Sequence, residues 1–519
     1  MFDRTRPLQC AMAIALALGV PHGLHAAGPS EGIVRTKDAL TIHSGTYVCT
    51  DGSLKAVAHY NLYGSFFDNR FVSPKFPCGG ALLVGASTPP LSAISPHLNP
   101  DAVLAFNGGY LFLAGQGLDE KAFARGKPVV VEQVKQIQFL SGMSEIRLEN
   151  GNEVSGCTTL LAVGPNRGVV RNQGAAVMVG GDEKRTKAGL NTAAGVQPGF
   201  SAALGVAEKI VFAGGMGPYL KGAGGPPGST NRSVIPWITV GTYLRPGMGG
   251  VATYDAEKGV HCLAPGEYDK KIRGTPDRNV WVESIDLGEN QAQTVNALVF
   301  IPYYSCQIGS GSTLTITSGF LQFGQRGPSA IGSHPQGGDY NSTGTLDFGP
   351  AEGIIWTCFE AEWGPNIIGP AIAGSGGLTI AGSNTLVLHG ANTYTGKTCV
   401  SGGTLQVGDV FPTKARLGKG DVQVAAGATL RIMSTVSRAI AADATVTLLS
   451  AGGWYFGVMD LQAGVHETVG DLVLAGQSQP AGTYGSSRSP ATHKFDNYFT
   501  GPGVLTVTAG ARGAKAVNQ

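Results

Sequence analysis

The sequence predicts an all-β protein assembled from stacked short strands, and a recurring phrase is the first reason for this prediction. The phrase runs from a small residue through Thr-Leu and one spacer residue to Val, Ile, Leu or Phe. Its clearest copies are Gly311–Ile316, Gly344–Gly349, Ser383–Leu388, Gly403–Gly408 and Gly427–Ile432, and looser copies are Ala39–Ile42, Gly80–Val84, Ala176–Val179 and Val504–Val507. Each copy alternates with the period of two expected for a strand, and turn residues flank most copies. Many short strands of one design are typical of a solenoid, in which each turn of chain stacks on the previous one.

Composition is the second reason. Of 519 residues, 79 are Gly and only 14% are charged, as expected for a chain with many tight corners, which Gly enters without steric cost. The 37 basic residues nearly balance the 35 acidic ones, so the chain lacks the basic field of a nucleic-acid-binding protein. We therefore expect no nucleic-acid or nucleotide partner.

The N-terminus is typical of a secretory signal over residues 1–26. Arg4 and Arg6 precede a short apolar run, Ala11–Val20, and Ala26 offers a cleavage position, with Ala27 as an equal alternative. The apolar run is too short to span a bilayer. We therefore expect an exported protein.

The cysteines fit an exported chain but leave their pairing open. Besides Cys10 in the signal, seven remain, and they are Cys49, Cys78, Cys157, Cys262, Cys306, Cys358 and Cys399. An odd number leaves at least one unpaired thiol, unless two chains cross-link. Cys49 and Cys78 could form a local bridge, although most of the seven are expected to be small buried residues of a β core. No Cys-x-x-Cys pair occurs, so a structural zinc site is not expected.

Residues 374–407 carry the most specific pattern. They contain Gly-Ser-Gly-Gly-Leu-Thr, then Thr-Leu-Val-Leu-x-Gly-Ala-Asn-Thr-Tyr-Thr-Gly, then Gly-Gly-Thr-Leu-Gln-Val. This segment resembles the autotransporter-associated β-strand repeat of bacterial passenger regions and secreted surface proteins. Lys397 and Cys399 depart from that pattern. The resemblance implies a right-handed parallel β-helix, export and a surface or extracellular role, and it implies no catalytic residue.

Side-chain alternation within the repeat predicts which residues face the core. The predicted inward residues are Leu378, Ile380, Leu386, Leu388, Leu405 and Val407. Asn384 and Asn392 stand at turns, where their side chains can bind the backbone. Rungs of roughly 22 to 25 residues would give about 20 rungs and a rod about 100 Å long.

The predicted organisation has five parts. They are a signal peptide over 1–26, a strand-rich solenoid with insertions over 27–340, a β-helix region over 341–437, a C-terminal β cap over 438–510 and a disordered tail over 511–519. Residues 117–140 are charged and predict a helix or a long loop, and residues 255–289 predict an excursion from the solenoid. The segment after residue 450 is too short for the membrane barrel of a self-exporting autotransporter, so we expect a passenger-type module without a barrel of its own.

Two short motifs imitate catalytic or nucleotide-binding sites. Thr395-Gly-Lys-Thr398 resembles part of a phosphate loop, but predicted strands flank it where a helix should follow. Gly28-Pro-Ser-Glu-Gly32 has the spacing of a nucleophile elbow, but it lies beside the expected cleavage position, with no strand before it. We therefore expect no catalytic residue, no cofactor and no metal.

Residues 255–289 are the one stretch that could contain a catalytic site. If the protein cut polysaccharides, Asp269 and Asp277 with Arg273 would be the candidates, because such enzymes use converging carboxylates or a basic residue. A charged surface loop is the commoner explanation. Tryptophans such as Trp281 could stack on sugar rings or simply pack in the core.

Three hypotheses on function follow. The favoured one is a secreted or cell-surface, non-enzymatic β-solenoid that mediates adhesion or contacts extracellular matrix or polysaccharide, on the outer surface of a Gram-negative-type bacterium or in its periplasm. The second is a β-helical polysaccharide lyase or glycoside hydrolase. The third is a structural spacer without a ligand.

Overall fold

The structure is a computed structural model that describes most of the chain between residues 25 and 509. The described residues are 25–27, 33–43, 46–49, 54–64, 80–84, 97–115, 129–150, 157–180, 208–242, 245–272, 274–301, 307–324, 330–332, 343–357, 364–411, 413–436, 438–452 and 455–509. Most of the predicted signal peptide, the Gly28–Gly32 motif, Arg273 and the predicted tail lie outside these residues. Cys78 does too, so its bridge to Cys49 stays a prediction.

The described residues form β-strands and short 3-10 turns and contain no α-helix. No helix among them is long and apolar enough to cross a membrane. Three single 3-10 turns are described in full, at Asn166–Gly168, Gly217–Tyr219 and Pro265–Glu267. The strands divide into two stacks. The first stack comprises residues 33–262 and the second comprises residues 279–507, and residues 263–278 form the connector between them.

The first stack winds through three mainly parallel sheets. Its strands, with β1 beside them, are β1 (His25–Ala27), β2 (Ile33–Arg35), β3 (Ala39–Ile42), β4 (Thr46–Cys49), β5 (His59–Tyr63), β6 (Ala81–Val84), β7 (Val103–Asn107), β8 (Tyr110–Gly115), β9 (Val129–Val134), β10 (Gln136–Ser141), β11 (Met143–Asn150), β12 (Cys157–Ala162), β13 (Val169–Arg171), β14 (Ala176–Gly180), β15 (Glu208–Phe212), β16 (Ile238–Thr242), β17 (Arg245–Asp255) and β18 (Gly259–Cys262). Sheet A runs β1-β4-β6-β8-β11-β14-β16-β17-β18, the second sheet runs β13-β10-β7-β5-β3-β2, and the third runs β15-β12-β9. Antiparallel strands close both ends of sheet A, because β1 pairs with β4 and β17 pairs with β16.

The second stack is longer and is also parallel. Its strands are β19 (Asn279–Val282), β20 (Asp286–Leu287), β21 (Ala292–Val295), β22 (Ala297–Phe300), β23 (Gln307–Ile308), β24 (Thr313–Ile316), β25 (Phe320–Phe323), β26 (Ala330–Ile331), β27 (Thr345–Asp347), β28 (Gly353–Trp356), β29 (Asn366–Ile368), β30 (Ala371–Ala373), β31 (Leu378–Ala381), β32 (Thr385–Leu388), β33 (Thr398–Val400), β34 (Thr404–Val407), β35 (Val422–Val424), β36 (Thr429–Ile432), β37 (Thr445–Leu448), β38 (Ser450–Ala451), β39 (Tyr455–Phe456), β40 (Val458–Leu461), β41 (His466–Val469), β42 (Asp471–Leu474), β43 (Gln477–Ser478), β44 (Gly482–Gly485), β45 (His493–Lys494), β46 (Phe499–Thr500) and β47 (Val504–Val507). Its main sheet, sheet F, runs β19-β22-β25-β28-β31-β33-β35-β37-β42-β43 in sequence order. The last strands form a mixed sheet, β41-β47-β44-β45. The predicted all-β parallel solenoid is therefore confirmed.

Equivalent side chains lie above one another in successive rungs. Leu386 pairs in register with Leu405, which pairs with Leu430. All six residues predicted to face inward are fully buried in the core of the second stack. The apolar column continues from rung to rung, so each turn of chain buries its inner face on the next.

Asparagine side chains join the turns of neighbouring rungs, as predicted. Asn392 Oδ1 accepts the N–H of Ile372 at 2.8 Å, and Asn392 Nδ2 donates to the carbonyl of Arg416 at 2.7 Å. Asn384 Nδ2 donates to the carbonyl of Gly364 at 2.8 Å. These amides bond backbone groups at corners where strand pairing is interrupted.

The two stacks pack side by side and run in opposite directions. Going up the first stack, His43 lies against Gly452, Gly142 against Ala425, Gly174 against Cys399, and Pro236 against Trp356. The partner positions descend as the first-stack positions rise. Sheet F thus lies against the first stack, and outward-facing Trp356 and Ala381 join its apolar core.

This arrangement corrects the predicted rod. Six parallel strands of sheet A span about 25 Å and nine of sheet F span about 40 Å at the usual strand spacing, so a single rod of about 100 Å is wrong. The predicted boundary between residues 340 and 341 also falls inside the second stack, since sheet F continues unbroken from Asn279. Residues 255–289 include the passage between stacks, which explains their departure from the repeat.

A second correction concerns residues 117–140. Their described part, 129–140, forms strands β9 and β10 rather than a helix or loop. Glu132, in β9, is a charged residue of this segment, but it is buried and its carboxylate accepts the N–H groups of His97 and Leu98 at 2.8 and 2.9 Å. Backbone donors satisfy this carboxylate and allow it to lie inside a β stack.

Candidate functional site at the first rung of the second stack

The connector only partly covers the first rung of the second stack. Asp269 forms a single bridge to β19, in which its N–H donates to the carbonyl of Asn279 at 2.8 Å and its carbonyl accepts the N–H of Trp281 at 2.9 Å. Within the described ranges, no strand pairs with β20 or β21 on the side away from the second rung. The open part of the rung leaves a cavity.

The cavity has a volume of about 720 Å³. Ile272, Val282, Ile285 and Leu287 form its apolar surface. Its volume lies within the range of pockets that enclose small ligands, and such pockets combine apolar walls with a few polar groups. The polar groups of this cavity therefore decide what it can bind.

Lys270 and Trp281 form the most specific contact in the lining. The Lys270 ammonium lies 3.2 Å from the centre of the Trp281 ring, a cation–π arrangement. Burial lowers the pKa of Lys270 to about 8, while the neighbouring Glu283 carboxylate acts in the opposite direction. The ammonium of this exposed lysine thus lies against an aromatic face.

Two buried polar atoms of the lining have no hydrogen-bond partner among the described residues. They are Trp281 Nε1, a donor, and Gln293 Oε1, an acceptor. Trp281 is only 9% exposed. A buried polar atom without a partner costs about 1–3 kcal/mol, so such atoms are uncommon in folded proteins. Both atoms have almost no exposed surface, so a ligand in the cavity does not reach them in this structure.

A buried ionic cluster holds the connector in place beside the cavity. The Glu267 carboxylate accepts the N–H groups of Gly228 and Ala264, both at 2.7 Å, and Arg232 Nη1 at 3.1 Å. Both carboxylate oxygens therefore have donors. This satisfied pairing fits a structural role for Glu267 better than a role as a reactive acid.

His261 completes this cluster. Its Nδ1 lies 2.9 Å from the carbonyl of Gly259, and its Nε2 lies 3.5 Å from Asp255 Oδ2 and 3.4 Å from Arg232 Nη1. Burial is the largest cause that lowers the pKa of His261, which favours the neutral ring. A neutral ring that donates from Nδ1 leaves Nε2 to accept from Arg232.

The carboxylates proposed from the sequence do not line the cavity. Asp269 Oδ1 accepts its neighbour's N–H, that of Lys270, at 3.0 Å. Asp277 Oδ2 lies 3.5 Å from Asn231 Nδ2, and Asp277 Oδ1 lies 4.0 Å from Arg278 Nε. Neither carboxylate therefore reaches the cavity, and Arg273 is outside the described residues.

The cavity lies in the stretch that the sequence singled out, but not all the residues that converge there could be predicted. Lys270 was visible only as a member of a charged run, whereas Trp281 was considered as a residue that could stack on sugar rings or pack in the core. Gln293 lies beyond that run and reaches the cavity because β21 belongs to the same rung as β19. No pattern in the sequence indicates that β19 and β21 belong to the same rung.

Other sites considered from the sequence can be placed. Thr398, at the end of the phosphate-loop-like motif, begins strand β33, so a strand rather than a helix follows the motif, as predicted. In the portion of chain that the structure covers, no three His, Cys, Asp or Glu side chains are grouped to hold a metal ion.

One comparison with known proteins matches part of the chain. Residues 378–407 match the passenger-associated transport repeat, which confirms the resemblance to the autotransporter-associated β-strand repeat. In the structure this segment comprises strands β31 to β34, two successive rungs of the second stack. No curated protein and no solved structure matches the chain. The repeat is that of an autotransporter passenger and implies an exported, surface-related protein.

Proposed function

We propose that this protein is an exported, non-enzymatic β-solenoid that binds extracellular polysaccharide, and that the cavity at the first rung of the second stack is its binding site. The passenger-associated repeat supports the coarser part, an exported and surface-related protein. The cavity supports the finer part. A polysaccharide supplies both hydroxyl donors and hydroxyl acceptors along its length.

The observation that carries the proposal is the open cavity itself, whose lining combines apolar side chains with exposed polar ones. Sugar hydroxyls can bind the exposed side chains of Lys271, Glu283 and Gln291. The apolar wall supplies surface for the faces of sugar rings. Both features belong to one open cavity, as binding of a chain-like ligand requires.

The lining favours binding over cleavage. Glycoside hydrolysis uses two carboxyl groups that flank one bond, with one of them held protonated. The acidic residues of the lining, Glu283 and Asp286, are exposed, and Asp286 Oδ1 accepts a hydrogen bond from Gln307 Nε2 at 2.9 Å. A polysaccharide lyase or hydrolase stays the second candidate, and a spacer without a ligand stays the third.

A co-sedimentation assay tests the proposal. The purified mature protein would be incubated with insoluble and gel-forming polysaccharides, and bound protein and new reducing or unsaturated ends would be measured together. We expect saturable binding without new ends, and we expect Gln291→Ala to weaken it. The exposed Lys494→Gln, near the other end of the second stack, is the matched control and should bind normally. New ends lost in Asp269→Ala or Asp277→Ala would establish the enzyme instead, and no binding at all would favour the spacer.

A further inference from the structure

The corner that follows strand β34 is longer than the same corner in the rung above. Leu388 pairs in register with Val407, and Ala391 forms a bridge to Arg416. Two residues connect the paired positions in the upper rung, whereas eight connect them after β34. The additional residues lengthen this corner into a loop, here called the corner loop (residues 408–416). The rung above turns the same corner without them, so the solenoid itself does not need them.

The corner loop carries the two most exposed large apolar side chains of the described residues. Val410 is 68% exposed and Phe411 is 55% exposed. A single exposed apolar residue such as Val34 is ordinary on a protein surface, but two adjacent ones on an added loop form an apolar projection. The base of the loop is fixed, because Asp409 Oδ1 accepts the N–H of Val410 at 2.7 Å and the Asp409 carbonyl accepts the hydroxyl of Thr435. The projection is therefore anchored at its base and open to solvent at its tip.

Basic side chains lie beside this projection. Lys414 and Arg416 follow the tip within the corner loop, and both are exposed. The N–H of Leu417 donates to the carbonyl of Ala439 at 2.8 Å, which places the exposed Arg438 of the next rung close to Arg416. Within the described part of the chain, none of these three cations forms an ion pair.

Acidic groups nearby do not balance the three cations. Asp409 is the one acidic residue of the corner loop and of the following turn, residues 433–438. Its Oδ2 lies 3.5 Å from His389 Nε2, and burial lowers the pKa of His389, so that ring is neutral at pH 7 and Asp409 supplies one negative charge. The two segments together therefore keep an excess of positive charge next to an apolar tip.

We propose that the corner loop docks the protein on an anionic lipid surface, with Val410 and Phe411 inserted among the headgroups and Lys414, Arg416 and Arg438 bound to lipid phosphates. Such a surface presents negative charge above apolar acyl chains, and an apolar tip with flanking cations complements both layers. Arginine can bind a phosphate through two hydrogen bonds at once.

A lipid surface fits this projection better than a protein partner does. A stable protein–protein interface uses about 20–30 residues on each side, far more than the tip offers, whereas insertion into lipid needs only a small apolar projection. The inference does not depend on polysaccharide binding. The corner loop follows the rung of β33, five strands along sheet F from β19, so it lies about 24 Å from the cavity along the stack.

Vesicle co-sedimentation of the full mature protein tests the inference. The protein would be titrated with vesicles of phosphatidylcholine alone and with vesicles in which about a third of the lipid is phosphatidylglycerol. We expect saturable binding to the anionic vesicles, at least about tenfold tighter than to the neutral ones. Raising the salt concentration should weaken that binding, because it screens the cations from the phosphates.

Two double variants separate the apolar and the ionic contributions. Val410→Ser with Phe411→Ser should weaken binding to the anionic vesicles about tenfold, and Lys414→Gln with Arg416→Gln should weaken it by a similar factor and reduce its salt dependence. All four side chains are exposed, so both variants should keep the fold and should bind polysaccharide as the wild type does.

Val34→Ser and Lys55→Gln are the matched controls, because both residues are exposed on the first stack, and both should bind vesicles normally. Equal binding to the two kinds of vesicle, or unchanged binding by the two double variants, would overturn the inference. Absence of vesicle binding would overturn it as well. If the double variants then altered self-association in analytical ultracentrifugation, the corner loop would be an interface between copies of this chain instead.

Discussion

Arg171 of the first stack and Glu352 of the second form a two-point ion pair, with Nη1–Oε2 at 2.6 Å and Nη2–Oε1 at 2.9 Å. Glu352 Oε1 also accepts the N–H of Gly174 at 3.0 Å and the hydroxyl of Thr379. The pair joins positions far apart in sequence, at the level of the matched repeat. It therefore fixes the register of the two antiparallel stacks at that level.

Neutralising Glu352 should weaken this interface strongly. The Arg171 side chain is only 10% exposed, so Glu352→Gln leaves a largely buried guanidinium without its counter-charge. We expect the free energy of unfolding to fall by about 3 kcal/mol, measured by urea denaturation.

Asp460→Asn is the matched control for this substitution. It also removes the charge from an arginine partner, but Arg431 is 37% exposed and water can replace the lost carboxylate. We expect a loss of at most about 1 kcal/mol. Equal losses in the two variants would show that the contact between the stacks contributes no more than a surface ion pair.

Removing the Asn392 amide should destabilise the second stack. It joins the backbones of the preceding and following rungs, so Asn392→Ala leaves the N–H of Ile372 and the carbonyl of Arg416 without this partner. We expect a loss of about 2–4 kcal/mol in the free energy of unfolding, measured by urea denaturation. The neighbouring exposed Thr393→Ala should change it by less than about 0.5 kcal/mol. A loss for Asn392→Ala as small as that for Thr393→Ala would refute the bridging role.

The side-chain orientations of the repeat could be predicted from the sequence because they are set by local interactions. The alternation that places Leu386 and Leu405 inward depends only on neighbouring residues, and so does the use of Asn at corners. Rung length was not predictable in this way. In sheet F the register joins Val280 to Leu298 and Leu321 to Ile355, so the length of one turn varies nearly twofold.

No local sequence pattern predicts that the chain forms two stacks that pack against each other. Thr379 alternates as a solvent-facing residue should, yet it is fully buried, because the first stack covers sheet F. Cys399, which pairs with Thr379 from the neighbouring strand β33, was one of the two visible departures from the repeat pattern, and its position explains that departure. It packs against Gly174, where any side chain would collide with the sulfur atom. The candidate site was hidden for the same reason, since Trp281 and Gln293 meet only through the rung.

Substitutions at two glycines with left-handed backbone conformations distinguish the cost of backbone strain from the cost of a clash between rungs. Gly403 has φ +63°, and a β-carbon there would lie 2.4 Å from the carbonyl oxygen of Asn384 in the preceding rung. Gly464 has φ +81°, with no atom within 4 Å of such a carbon. Both alanine substitutions incur a conformational cost of about 1–2 kcal/mol.

Only Gly403→Ala should also push the rungs apart. We expect it to lower the melting temperature clearly more than Gly464→Ala, by a difference equivalent to at least about 1 kcal/mol. Differential scanning calorimetry of the two variants measures this directly. Equal shifts would mean that the rungs can separate locally at no cost.

Glu467 should make stability depend on pH in an unusual direction. It is 1% exposed, and its carboxylate accepts the N–H groups of Ala439 and Ile440 at 2.9 and 3.2 Å. Burial is the larger influence and raises the pKa of Glu467 above its ordinary value of 4.5, although these hydrogen bonds act in the opposite direction. The folded state therefore binds this proton more tightly than the unfolded state does.

The sign of the effect follows from that difference in proton affinity. The stabilising contribution of Glu467 is fully present below about pH 4.5 and is lost as the pH rises through the raised folded-state pKa. Glu467→Gln keeps an amide oxygen for one donor but cannot titrate. We therefore expect the stability of the variant relative to the wild type to improve from pH 4 to pH 7, measured by urea unfolding at each pH. A relative stability that is constant, or that worsens with rising pH, would mean that the N–H groups of Ala439 and Ile440 outweigh burial and hold the carboxylate ionised.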